Sequence, residues 1–206
     1  FPIIKNKIRF RNFEIDFITI ERPQVKYDIE KIEKSVKNKI KSIKNDVLII
    51  GASSGIGNEV LNLFKINKKI NIFATYHKNK INLTQKNISL INLDILKNID
   101  FLKKKFKNFS KLYVYYFATP KIRLEHNEGI QKVYDTYYIY RPKKLISMFK
   151  SIKLNFFYPS SIYAKLPKTS YAKSKKKAEK VLIKLKNRKN KINILRITEV
   201  NTKQNL

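Results

Sequence analysis

Six short apolar runs, each separated from the next by polar or helix-like sequence, restrict the fold of this chain more than any other feature. They are Val47–Ile50, Ile70–Thr75, Ile88–Leu93, Leu112–Ala118, Leu154–Tyr158 and Ile192–Ile197. A strand with one wet face alternates apolar and polar side chains, whereas these runs are apolar throughout, as strands covered on both faces must be. Strands that alternate with helices are joined by crossovers, which predicts the parallel sheet of an α/β protein. A doubly wound sheet, with helices on either face, is the expected architecture.

The first 45 residues read differently. Phe13 to Phe17 alternates with Glu14 and Asp16, the period of a strand with one buried face, and Arg22-Pro23 breaks it. Ile29, Ile32, Val36, Ile40 and Ile43 then recur at helical spacing behind a cap at Asp28. Residues 1–45 are thus expected to be a small strand-helix extension. A unit of that size cannot bury its own apolar faces, which suggests the tail of an upstream domain. Residues 46–206 form the main domain.

Composition narrows the function classes. The formal net charge of +31 invites a polyanion partner. Yet Lys far outnumbers Arg and is spread over every segment, whereas a surface built for phosphates favours the bidentate Arg fork and gathers it. No specific nucleic-acid partner is therefore expected. The absence of cysteine removes disulfides and thiolate metal sites, and no metal is expected. No apolar run is long enough to span a bilayer and no signal pattern opens the chain, so a soluble, cytoplasmic protein without a membrane partner is the expectation.

Three of the four glycines fall in Gly51-Ala52-Ser53-Ser54-Gly55-Ile56-Gly57, directly after a buried strand and before the helical pattern Val60, Leu61, Phe64. A chain passing from strand to helix in so few residues needs positive φ and missing side chains. The helix amino terminus then offers N–H groups to a pyrophosphate. Downstream, Tyr171-Ala172-Lys173-Ser174-Lys175 sets a phenol and an ammonium one helical turn apart on one face. A cation there favours the phenolate and makes Tyr171 a proton donor or acceptor.

The glycine turn resembles the cofactor turn of the short-chain dehydrogenase/reductase (SDR) family. The stretch Tyr171-Ala172-Lys173-Ser174-Lys175-Lys176-Lys177-Ala178-Glu179 resembles that family's active-site helix. On these motifs, residues 46–206 are identified as a divergent SDR-like domain. Its C-terminal part is expected to be missing, because the family adds a further helix, strand and substrate-covering region. The resemblance implies a Rossmann-like, three-layer α/β/α fold. It implies a dinucleotide held by Gly51, Ser53, Ser54, Gly55, Ile56 and Gly57.

Further site residues follow from the resemblance. At the end of the second strand of the sheet, Tyr76 stands where a carboxylate would bind the NAD ribose. His77 and Lys78 follow it, which favours NADP(H) over NAD(H). Asp94 would hold the adenine amino group or simply cap a helix. Of Phe117-Ala118-Thr119-Pro120, Ala118 alone fits the family's Asn-Asn-Ala-Gly. Ser161, or else Ser160, would bind the substrate oxygen. Lys175 would also hold the nicotinamide ribose, and Thr202 the carboxamide. The family's relay Asn is replaced by Tyr137 or a neighbour in Tyr134 to Tyr140. The activity implied is hydride transfer between NADP(H) and a small carbonyl or alcohol, with Ser161, Tyr171 and Lys175 catalytic and a homo-oligomer as the family's habit. A non-catalytic NAD(P)-binding sensor or scaffold is the alternative.

Overall fold

All six apolar runs pair into one parallel sheet in the computed structural model, which describes residues 3–10, 13–20, 28–123 and 125–198. At the amino terminus, β1 (Ile3–Phe10) and β2 (Phe13–Ile20) form an antiparallel hairpin, with Ile3 opposite Ile20 and Phe10 opposite Phe13. The expected strand-helix extension therefore has one strand more than its pattern showed. Asn6 interrupts the alternation of Ile4, Ile8 and Phe10, so the first strand lacks a period-two signature. The helix α1 (Ile29–Ser42) follows. The chain divides into two compact units, Phe1–Val36 and Lys37–Leu206.

The second unit begins with the last turns of α1. The Asn67 side chain donates to the carbonyl of Ile40 in those turns and of Ile43 just past them, at 2.8 and 2.9 Å, which anchors the end of the helix. The order is then β3 (Val47–Ile50), α2 (Gly55–Phe64), β4 (Ile72–Tyr76), β5 (Ile88–Asn92), α3 (Phe101–Lys105) and β6 (Lys111–Tyr116). After β6, α4 (Glu128–Asp135) runs through a π-helical turn, Thr136–Tyr140, into α5 (Arg141–Met148). Then come β7 (Lys153–Ser161), a short 3₁₀ turn, α6 (Ser170–Ile183) and β8 (Asn190–Ile197).

The strands lie in the order β5-β4-β3-β6-β7-β8, every neighbouring pair parallel. The chain winds outward one way from β3 and the other way from β6. Crossovers therefore leave the sheet on opposite sides of that pair and open a crevice at its carboxyl ends. β6 stops at Tyr116, earlier than its apolar run, so that Phe117 and Ala118 are free to border the crevice. β7 runs on to Ser161, which brings both candidate serines to the same edge.

Alternate residues of β3 feed two cores. Leu48 and Ile50 join the larger cluster with Tyr116, Phe156 and the inner sides of α4, α5 and α6, while Val47 and Ile49 join Leu61 and Phe64 of α2. The second layer is partial. Tyr113, Tyr115, Phe117 and Phe157 on that face are only half-buried, and Leu195 is exposed.

Candidate active site

Two groups of residues meet at the carboxyl edge of the sheet. The first is a cleft of about 130 Å³ lined by Gly51, Ser53, Ser54, Tyr76, His77 and Ala118 among others. Its floor is shaped by glycine. Gly51 has φ +80° and Gly55 φ +54°, which residues with side chains rarely adopt. A Cβ on Gly57 would lie 2.1 Å from the carbonyl oxygen of Gly51, and one on Gly51 2.7 Å from the amide nitrogen of Ala118. The turn is pinned from β4, where the buried Thr75 accepts from Gly51 N–H through its hydroxyl and from Ala52 N–H through its carbonyl, both at 2.8 Å. Thr75 closes an apolar run, and only the fold reveals its task.

Gly55, Ile56 and Gly57 form the first turn of α2, whose amino terminus meets the cleft through Ser53 and Ser54. A glycine-shaped turn on a helix amino terminus fits the pyrophosphate of a dinucleotide. Tyr76 and His77 line the cleft, whereas Lys78 is exposed beside it. Asp94 lies between the lining residues Leu93 and Ile95, with its carboxylate 3.7 Å from His77 Nε2. It also accepts from Leu96 N–H at 3.0 Å, which closes a turn rather than capping a helix, since α3 starts at Phe101 behind Asp100.

The second group is Ser161, Tyr171 and Lys175. Helix α6 is set by Thr169, whose hydroxyl caps Ala172 N–H at 3.2 Å. It is set also by Asp135 of α4, which accepts from Ser174 Oγ at 2.6 Å. Both Tyr171 and Lys175 then fall on its buried face. Ser161 acts on the Tyr171 phenol from the end of β7, while its Oγ accepts from Tyr163 N–H at 3.3 Å. Burial pushes the Tyr171 phenol above the usual range, with Ser161 acting in the other direction, so the group holds its proton. Ser160 is occupied elsewhere. Its hydroxyl donates to Glu179 at 2.6 Å, and Glu179 is clasped by Arg196 at 2.8 and 2.6 Å.

Lys175 departs from expectation. Its Nζ donates to the carbonyl of Pro159 at 2.7 Å and meets the ring of Tyr171 at 5.8 Å to the centroid, over its face rather than at its hydroxyl. Burial pulls the ammonium down to about 7, with Glu179 acting in the other direction. Neither Tyr171 nor Lys175 lines the cleft. The link is Tyr138, whose hydroxyl is hydrogen-bonded to Thr119 of the cleft wall and whose ring packs on both residues. Tyr137 lines the cleft as well, while its backbone carbonyl accepts from Tyr116. Thr202 lies outside the described residues.

Solved structures share this arrangement of strands and helices. A short-chain dehydrogenase/reductase from Saccharomyces cerevisiae matches with a TM-score of 0.65 at 17% identity, over 79% of this chain and 73% of that one. A short-chain dehydrogenase from Burkholderia cenocepacia, in complex with NADP, gives 0.62 at 14% identity over 78% and 74%. The fold is that of the short-chain dehydrogenases/reductases. A 4-hydroxyisoleucine dehydrogenase complexed with NADH gives 0.62 at 15% identity, over 78% of each chain. No family model matches the sequence, and no curated protein matches it. The likeness is thus carried by the fold.

Proposed function

We propose that the chain is an NADP(H)-dependent oxidoreductase that moves a hydride between the nicotinamide and a small carbonyl or alcohol, with Tyr171 as general acid and base. The observation that carries this reading is a glycine-floored cleft at the point where the strand order reverses, with Ser161 and Tyr171 brought together at the same carboxyl edge. When bound, the cofactor supplies or accepts the hydride. Gly51, Ser53, Ser54 and the α2 amino terminus would hold its pyrophosphate, and Ala118 would let it lie close against the backbone. Tyr171 keeps its proton at Oη and passes it to the substrate oxygen as the carbonyl carbon is reduced. In oxidation it takes that proton back. Ser161 donates to the same oxygen as charge grows on it, a type of contact worth about 10²–10³ in rate. Lys175 would bind the nicotinamide ribose.

The preference for NADP(H) rests on Tyr76, where a carboxylate would repel the 2′-phosphate, and on His77 and Lys78 next to it. Asp94 beside His77 tempers that preference. One observation favours the second reading, a dinucleotide-binding sensor or scaffold: Tyr171 and Lys175 are 8% and 6% exposed and stand behind Tyr138 rather than on the cleft wall. Titration with NADPH and NADH, followed by NADPH oxidation with a panel of ketones and aldehydes, separates the two. The enzyme reading expects tighter NADPH binding and turnover that Tyr171→Phe abolishes with affinity for NADPH intact. Binding without turnover selects the sensor, and turnover unchanged in Tyr171→Phe rules out the acid–base role of that phenol.

A further inference from the structure

Lys175 is solvated by aromatic rings. Its Nζ lies 4.1 Å from the ring centroid of Tyr138, 4.7 Å from that of Tyr158 and 5.8 Å from that of Tyr171. An ammonium has three N–H bonds to satisfy. One goes to the Pro159 carbonyl, and among the described residues no carboxylate pairs with it. Glu179 is the acidic group that acts on it, and that carboxylate is already held by Ser160 and Arg196. A buried cation in such a place is stabilised by the negative faces of aromatic rings, a contact that strengthens when water is excluded.

Tyr138 is the closest of the three rings, and its setting fixes how it is presented. It sits in the π-helical turn between α4 and α5 and stacks on Tyr134, with 5.7 Å between centroids and 18° between planes. Its hydroxyl is tied at the far end to Thr119. With that end anchored and one side stacked, its face is left to Lys175, and it meets Tyr171 in a T-shaped contact.

We infer that Tyr138 is a positioning residue whose ring face, not its hydroxyl, holds the Lys175 ammonium in place and charged. This rests on the proposed role of Lys175 in ribose binding, since a neutral amine there would lose its attraction for the ribose hydroxyls. The groups facing the ammonium are Tyr138 from the π-helical turn, Tyr158 and the Pro159 carbonyl from β7, and Tyr171 and Glu179 from α6. Arg196 of β8 acts through Glu179, and Tyr116 of β6 stands behind Tyr138 and Tyr158. Burial, with Glu179 opposing it, brings Lys175 down to about 7, where charge is easily lost, so each ring face matters at neutral pH.

The test is NMR of the protein labelled with ¹³C at the lysine ε-carbons, the Lys175 signal being assigned by its loss in Lys175→Arg. In the wild type the attached protons are shifted upfield by the ring currents. Tyr138→Phe, which keeps the face and loses the hydroxyl, leaves the titration midpoint in place. Tyr138→Leu lowers it by about one pH unit, and NADPH affinity falls over the same pH range. An unshifted ε-proton signal in the wild type overturns the inference, and that reading stands even if the Leu variant does not fold. So does a Tyr138→Phe midpoint that moves as far as that of Tyr138→Leu. A wild type that shows the shift and the titration but binds no dinucleotide supports the cage and sinks only the proposed function.

Discussion

Ser160 and Ser161 are adjacent in sequence and alike in chemistry, yet they serve different partners. Ser160 joins the Glu179–Arg196 pair that ties β7, α6 and β8 together, while Ser161 caps the following 3₁₀ turn at Tyr163 N–H and faces Tyr171. Lys175 makes stability depend on pH. Its folded value of about 7 lies below the ordinary 10.5, so between those values the unfolded chain binds a proton that the folded chain does not. Stability must then rise with pH through that window, and the burial cost is felt in full below pH 7. The difference in unfolding free energy between wild type and Lys175→Met should move in favour of the wild type from pH 7 to pH 10, by on the order of 3 kcal/mol. Tyr116, Tyr138 and Tyr158, all held protonated by burial, are common to both proteins and cancel. Urea denaturation across that range checks it, and a flat difference means the cost of burying the ammonium is fully offset by its surroundings. Tyr171 and Lys175 were legible in the sequence because their spacing of four is a local helical relation. Thr75 and Tyr138 were not, because their partners Gly51 and Lys175 are distant in the chain.

At the scale of the element, legibility depended on what a segment demands of its residues. The turn from β3 into α2 demands positive φ at Gly51 and Gly55 and no Cβ at Gly57, and only glycine meets those demands. The π-helical turn has the opposite character. It adds a residue to one turn of an otherwise α-helical run, so counting by 3.6 slips, and it is Tyr138 whose ring comes to face Lys175. Tyr137 faces the cleft instead. The glycine turn also makes a sharp prediction. Gly57→Ala puts a methyl carbon 2.1 Å from the Gly51 carbonyl oxygen, backbone that cannot turn aside as a side chain would. The first turn of α2 must then move away from β3. The expected result is a loss of about 3 kcal/mol, a melting temperature lower by roughly 6–12 °C, and NADPH binding lost along with the cradle. Thermal unfolding with and without NADPH measures both effects. A variant that melts and binds as the wild type does would mean that the turn yields easily and is no rigid cradle.

Taken as a whole, the second unit has one finished face and one partly open. Apolar runs predicted burial on both sides, and the strands do alternate between two cores. What the runs could not convey is how much helix lies on each side, because an apolar residue looks the same in sequence whether a layer covers it or not. Phe156 and Phe157 are neighbours on β7 and test this directly. Phe156 is fully buried in the larger cluster, stacked on Tyr116 with 6.1 Å between centroids. Phe157 is half-buried on the other face among Tyr115 and Phe117, at 5.7 and 5.9 Å. Removing a ring from a closed core leaves a cavity that its neighbours cannot fill, at a cost of about 3–5 kcal/mol. Removing one from a face that already meets water loses less burial and leaves no sealed void, so about 1–2 kcal/mol is expected for Phe157→Ala. Urea midpoints of the two Ala variants, with equal slopes, would read the difference. Equal losses would show that the face bearing Phe157 is as closed in solution as the one bearing Phe156.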